Sequence, residues 1–452
     1  MINLIKETLV RVLPKNNQIS IKINPEHPLL ILLAAIDWDR LIIIIKNARE
    51  VNGKQNRGPD PHYRELAGAL LVMAIRSCTL RDAMELIQHH AIFRLYCNLE
   101  NSTWTPNFRT IHDFIKSLGE EGLKRVNEYV LEVANGRGFL DLKSLCADTT
   151  AQESSIPYPT EMGLAHQFIK SIAAAIGTIG GKIGDLKSYT IKKLDTATKL
   201  LKHYRFFASS KEEKTVLLKK IIEEAKRVRQ RVASTIAKSA KKTISSLKGQ
   251  KKKALTTMQE LLETFSKLAP QMDYFVKTGY VARNKIVSLF QEKVRAIPRG
   301  KDGKETEFGI KWCIAQLSGY IFGFSRGSAY DGDYAVEAVK EQKRIFSEGP
   351  TSFGFDRGGW SEDHIEQIKD LGVKEIGIAP KGNAEWLVGK ETQKKIFCER
   401  SQVEGKIGTL KAYGFNKPRS KTSEGMLRTG QLSIIRFNLG KMTRDLSSLM
   451  DF

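Results

Sequence analysis

Phe397-Cys398-Glu399-Arg400-Ser401-Gln402-Val403-Glu404-Gly405-Lys406-Ile407-Gly408-Thr409-Leu410-Lys411 is the stretch from which the rest of the chain can be read. As a helix at about 100° per residue it projects Arg400, Glu404 and Lys411 within about 40° of one another. One carboxylate then shares a face with two cations, while Ile407 and Leu410 flank that face and can pack inward. Gly405 and Gly408 each cost about 1 kcal/mol relative to alanine inside a helix. Close approach of another backbone, protein or nucleic acid, would account for them. Taken alone, the pattern equally describes a charged surface helix.

The composition narrows the setting. The chain has 452 residues, enough for two or three domains, and 73 Lys and Arg against 50 Asp and Glu leave a net charge of +23. Such an excess points to a polyanion, nucleic acid or an anionic membrane surface. The most apolar N-terminal stretch, Pro28 to Ile45, is interrupted by Asp37, Asp39 and Arg40, so it neither spans a bilayer nor resembles a secretory signal. Cys78, Cys97, Cys146, Cys313 and Cys398 are scattered without a C-x-x-C spacing, which fits a cytoplasmic protein and argues against zinc or a disulfide scaffold.

Residues 1–140 read as an N-terminal helical domain suited to DNA binding or dimerisation, or serving only as scaffold. A basic amphipathic opening leads through the apolar segment to a polar Gly/Pro loop at Asn52 to Pro61. Helical spacing follows in Leu66, Leu70, Leu71 and Ile75, and again in Ile111, Phe114, Ile115 and Leu118, with Thr79 and Asp82 marking one helix start. Residues 141–181 begin with a short apolar strand, Leu142 to Ala147, ending at Asp148, an aspartate that could simply cap a turn. Residues 182–297 form a helical insertion. Between 182 and 253 it holds 22 Lys and Arg against 6 Asp and Glu, so most of the excess charge lies there. These charges either neutralise phosphates or merely face water. The tract Lys248 to Lys253 reads as a turn between long helices.

From 298 to 415 the texture alternates. Phe308 to Phe324 reads as two strands turning at Ser318-Gly319, Asp331 to Phe346 as a helix, and Thr351 to Phe355 as a strand ending in Asp356-Arg357-Gly358-Gly359-Trp360. Ser361 caps the next helix, Val373 to Ala379 is a strand, and the opening helix comes last. Residues 416–452 read as a polar tail with further helix. Lys301 and Lys311 are candidate backbone contacts; His166 and His364 read as structural.

Strand, strand, strand, helix, strand, helix, strand, helix is the order of an RNase H-like domain, so the fold class is α/β, with an RNase H-like core split by a basic helical insertion. Asp148, Asp356 and Glu404 occupy its three acidic positions and could converge on a pair of Mg²⁺ ions. At these residues the chain resembles prokaryotic insertion-sequence transposases of the DDE type. Ala147-Asp148-Thr149-Thr150 looks like the family's first-aspartate strand, and Phe355 to Ser361 looks like its Asp-Arg-Gly segment. Arg400, Glu404 and Lys411 match the last three letters of the Tyr-x2-Arg-x3-Glu-x6-Lys signature, while Phe397 replaces the tyrosine and so cannot hydrogen-bond a phosphate. The DNA-hairpin excision route is therefore not assumed.

The resemblance implies that Asp148, Asp356 and Glu404 are catalytic ligands of two Mg²⁺ (or Mn²⁺) ions and that Arg400 and Lys411 contact DNA. Arg357 would serve phosphate or pair a carboxylate, and Trp360 would stack on an unpaired base or, more in keeping with a loop tryptophan, anchor the core. The implied partners are the terminal inverted repeats and target DNA, with no membrane, and a dimer or higher assembly on DNA in the nucleoid. The alternatives are an RNase H-like nuclease without strand transfer and a catalytically silent, transposase-derived DNA-binding protein. Asp148 and Asp356 are 208 positions apart and Asp356 and Glu404 only 48, which places the insertion early in the core.

Overall fold

The computed structural model describes residues 23–52, 62–76, 78–180, 186–239, 246–301, 304–327, 331–382 and 384–449. The basic opening and most of the Gly/Pro loop lie outside them, as does the Lys301 side chain. In chain order the elements are α1 (Pro28–Ala35), α2 (Trp38–Val51), α3 (Tyr63–Arg76), α4 (Leu80–His89), α5 (Ala91–Tyr96), α6 (Phe108–Gly136), β1 (Ser144–Glu153), α7 (Glu161–Ile179), α8 (Leu186–Phe206), α9 (Lys211–Lys238) and α10 (Gly249–Thr278). There follow β2 (Arg295–Lys301), β3 (Lys304–Leu317), β4 (Tyr320–Phe324), α11 (Asp331–Phe346), β5 (Ser352–Phe355), α12 (Glu362–Asp370), β6 (Glu375–Ile378), α13 (Lys390–Leu410) and α14 (Ser423–Ser448). No helix among the described residues is long and apolar enough to cross a membrane.

The chain divides into two compact units, the first comprising Met1–Asp141, Leu317–Phe322 and Gln431–Phe452. Here α4 starts on the expected signal: Thr79 and Asp82 form a reciprocal capping box. Helix α6 breaks at Gly119, whose φ of 70° suits glycine. The break frees carbonyls that Asn52 satisfies, its Nδ2 donating to Ser117 and Leu118 at 3.2 and 2.8 Å. Asn438, fully buried, donates to Asn127 Oδ1 and to the Ile321 carbonyl and accepts from the Ile321 N–H, all at 2.7–2.9 Å. The segment read as a polar tail is thus mostly one 26-residue helix, with Ile434, Ile435, Leu439 and Met442 in the core.

The second unit, Leu142–Gln316 and Gly323–Gly430, contains a helical cluster and a mixed sheet. In the cluster α7, α8, α9 and α10 close around Phe168, Ile172, Ile221 and Phe265, with the two rings stacked at 4.0 Å. Helix α7 shares this core, so the cluster starts before the basic stretch does. The Lys248–Lys253 tract is the first turn of α10 rather than a connecting turn. Burial of each such side chain contributes about 1.5–3 kcal/mol, against 0–1 kcal/mol for an exposed ion pair, so packing and not charge holds the cluster together.

The sheet runs β2-β3-β1-β5-β6, with β4 as the hairpin partner of β3. Strands β3 and β1 are antiparallel, and β1, β5 and β6 are mutually parallel in sequence of pairing. The strand β2 was not expected. Pro298 and Gly300 read as a break, yet they sit on a sheet edge where a missing N–H is tolerated, with an irregular register between Pro298 and Lys301.

Candidate active-site cleft

Register places the first two carboxylates. Cys146 pairs with Gly354 across the parallel β1 and β5. Asp148 and Asp356 each follow two residues later, so they stand level on neighbouring strand ends and point to one face. Helix α13 lies across that face. Glycine allows it to come close: a Cβ at Gly354 or Gly377 would stand 2.5 Å from Ile396 of α13. Glu399 fixes the docking, accepting from Ser144 Oγ at 2.6 Å, while its carbonyl accepts from Gln316 Nε2 at 2.8 Å. Val403, Ile407 and Leu410 are buried, leaving Arg400 and Glu404 on the flank toward the strand ends.

The result is one open cleft of about 490 Å³ lined by Asp148, Asp356, Glu404, Arg400 and Lys411 together. Two further charged groups line it, Lys311 and Asp331, of which Asp331 was not anticipated. Asp331 opens α11 and accepts from Thr149 Oγ1 and from Lys311 Nζ, both at 2.6 Å. Acidic residues are common in a first helical turn, so nothing in the sequence marks Asp331 as part of a cleft. Lys311 therefore holds a carboxylate in this structure.

The charges are strained by burial. Asp148 is pushed up to about 6, first by burial and then by Asp356 and Glu404, against the Thr149 N–H, which donates to it at 2.7 Å, and Arg400. Asp356 is raised by burial and by Asp331, opposed by the Gly358 and Gly359 N–H groups and Arg400. Its Oδ1 is buried without a hydrogen-bond partner. A Cβ at Gly358 would lie 2.8 Å from Asp331 Oδ2 and 3.0 Å from Asp356 Oδ1, so the glycine keeps open a space between two carboxylates. Gly358→Ala should fill that space, and if the cleft binds a divalent cation we expect at least about a tenfold loss of Mn²⁺ affinity with an unfolding midpoint close to the parent's. Circular dichroism melting beside a Mn²⁺ titration checks this.

Glu404 is 60% exposed and faces Arg400, Oε1 to Nη2 at 3.5 Å. As placed, no three Asp, Glu, His or Cys side chains among the described residues are grouped closely enough to hold an ion. Among the described residues nothing lies within 4 Å of a Cβ position at Gly405 or Gly408, so none of them makes the close approach expected there.

The other residues singled out lie elsewhere. Arg357 is exposed and does not line the cleft. Half-buried Trp360 borders a separate hollow with Ile365 and Leu387, and its carbonyl accepts from Lys381 Nζ at 3.1 Å. Phe397 is 65% exposed and lines a neighbouring apolar hollow with Trp386. His364 packs against Gly332 in the first turn of α11, and His166 bonds Thr198 at 3.1 Å.

Residues 17–117 match a family model described as transposase domain (DUF772). The match covers α1 to α5 and the start of α6, ends before Asp148, and supports a transposase. Comparison with curated proteins and with solved structures gave no match.

Proposed function

We propose that the chain is a DDE-type transposase whose catalytic core is an RNase H-like sheet, interrupted by the basic helical cluster. It binds the terminal inverted repeats of its own element, cuts there, and joins the freed 3′-hydroxyl ends to target DNA. The observation that carries this reading is that Asp148, Asp356 and Glu404, from two adjacent strand ends and one helix, line one cleft that Arg400 and Lys411 also line. The transposase match at the N-terminus supports it independently.

The donor set suits a hard divalent cation. It is all oxygen, it contains the unpartnered buried Oδ1 of Asp356, and Gly358 leaves room beside it. Asp148, Asp356 and Glu404 would hold two Mg²⁺ or Mn²⁺ ions, which supply an activated water or 3′-hydroxyl and stabilisation of the leaving oxygen. Glu404 reaches that arrangement by turning from Arg400 toward the aspartates. Arg400 is then released to a phosphate, where a guanidinium binds two oxygens at once, and Lys411 adds a point charge one end of the helix away. Lys311 keeps Asp331 occupied, which limits the repulsion on Asp356.

Replacing Asp148, Asp356 or Glu404 by alanine tests the reading on DNA carrying the element's ends. Loss of cutting with retained DNA binding is expected, and a parent protein without metal-dependent cutting would instead make it a DNA-binding derivative. Joining of pre-cleaved ends separates a transposase from a nuclease: product is expected, and cutting without joining would assign the nuclease.

A further inference from the structure

On α9 and α10 three cations are matched within the fold: Lys226 pairs with Asp273 and Glu223 at 2.9 Å, Arg227 with Glu224 at 2.9 Å, and Lys267 with Glu263 at 2.8 Å. The inward-leaning Lys193 of α8 is likewise taken by Glu224 at 2.5 Å. The outer face of α8 holds an unmatched row. Lys187, Lys192, Lys199, Lys202 and Arg205 are all exposed, and none forms an ion pair with a described residue. At 100° per residue they occupy about 140° of arc, and at 1.5 Å per residue they run for about 27 Å. Asp195 is the single acid on that arc.

Helix α7 continues the pattern. Its exposed positions beside α8 are Lys170 and small or neutral residues, Gln167, Ala174, Gly177 and Thr178. His166 lies between the helices, bonding Thr198 of α8 at 3.1 Å, and burial, then Lys170 and Arg205, hold it below its ordinary value. So many unmatched cations on one face repel each other and gain nothing for the fold.

We infer that the outer face of α8, with Lys170 of α7, is a binding surface for the phosphate backbone of duplex DNA. This rests on the transposase reading but adds to it a surface outside the catalytic cleft. Its length approaches one turn of B-DNA, about 34 Å, so the row can meet phosphates on both sides of a groove. The contacts are to backbone and not to bases, because lysines spread over a convex helix face neutralise charge without reading base edges. An anionic membrane is the poorer occupant: the exposed apolar residues are Ile191 near one end of α8 and Phe206 with Phe207 at the other, and Ser188, Asp195 and Thr198 interrupt any apolar stripe between them.

The test uses the full chain and a 40-base-pair duplex of arbitrary sequence, with affinity measured from 50 to 300 mM salt. The variant Lys192→Gln, Lys199→Gln, Lys202→Gln, Arg205→Gln is compared with a control of equal charge loss, Lys219→Gln, Lys220→Gln, Lys251→Gln, Lys252→Gln. All eight positions are exposed, so both should fold. The α8 variant should bind about 100-fold more weakly at 150 mM salt, with a salt slope smaller by about 3–4, and the control should change less than about threefold. Equal losses in the two variants, or parent-like binding by the α8 variant, would overturn the assignment. If the parent cuts DNA with metal while the α8 variant binds like the parent, only this surface is wrong. If the parent binds no DNA, the transposase reading falls with it. Preferential loss of binding to phosphatidylserine vesicles, with duplex binding intact, would assign the face to a membrane instead.

Discussion

Asp148→Asn is expected to abolish metal-dependent DNA cutting, by about 1,000-fold or more, while making the metal-free protein more stable at neutral pH. Both effects come from one fact. Burial and the neighbouring Asp356 and Glu404 raise the carboxyl of Asp148 from an ordinary 3.8 to about 6. The native state therefore holds this proton more tightly than the unfolded chain does. Its contribution to stability is greatest below about pH 4 and is lost as pH rises through about 6. At pH 8 the ionised carboxylate costs the fold on the order of 1–3 kcal/mol. Asparagine removes that cost and flattens the pH dependence across the same window. Mg²⁺ should raise the parent's unfolding midpoint and leave the variant's nearly unchanged, because only a state that binds the ion is stabilised by it. Thermal unfolding from pH 4 to 8, with and without Mg²⁺, checks both statements; a variant less stable than the parent at pH 8 would contradict them.

The second large effect lies in the floor of the cleft. Gly354→Ala should destabilise the second unit by about 2–3 kcal/mol and reduce cutting as well, although it touches no charged group. The added Cβ would meet Ile396 at 2.5 Å and Cys146 Sγ at 2.8 Å. Relief of that clash requires α13 to lift from the sheet, and α13 carries Arg400 and Glu404. Ile396→Ala alone leaves a void and should cost about 2–4 kcal/mol. The pair together should cost less than the sum by at least about 1 kcal/mol, since the alanine makes the room that the new methyl needs. Strict additivity in denaturant unfolding would show that α13 is not seated through this contact.

What could be read beforehand was what chemistry writes locally. Thr79 and Asp82, Ser361, and the Ser318-Gly319 turn are signals within four residues of the structure they specify, and the helices and strands follow them closely. That Asp148, Asp356 and Glu404 share one cleft was legible because each ends or faces a recognisable element. Partnership across the chain was not. Gly405 and Gly408 drew attention as helix glycines, yet the glycines that bring α13 onto the sheet are Gly354 and Gly377, whose need shows only when Ile396 is in place. Strand β2 was hidden by its proline, and the C-terminal half of α14 by apolar residues spread around the helix instead of along one stripe. Asp331 was hidden by being ordinary for its position, and only Lys311 and Thr149, distant in sequence, mark it as part of the cleft.

The central claim is that Asp148, Asp356 and Glu404 form one divalent-cation site. A calorimetric titration of the full chain with Mn²⁺, repeated for Asp148→Asn, Asp356→Asn and Glu404→Gln, tests it without any knowledge of the DNA ends. Saturable binding by the parent, weakened at least about tenfold by each substitution, is the predicted result. Parent-like Mn²⁺ binding in either aspartate variant would contradict it.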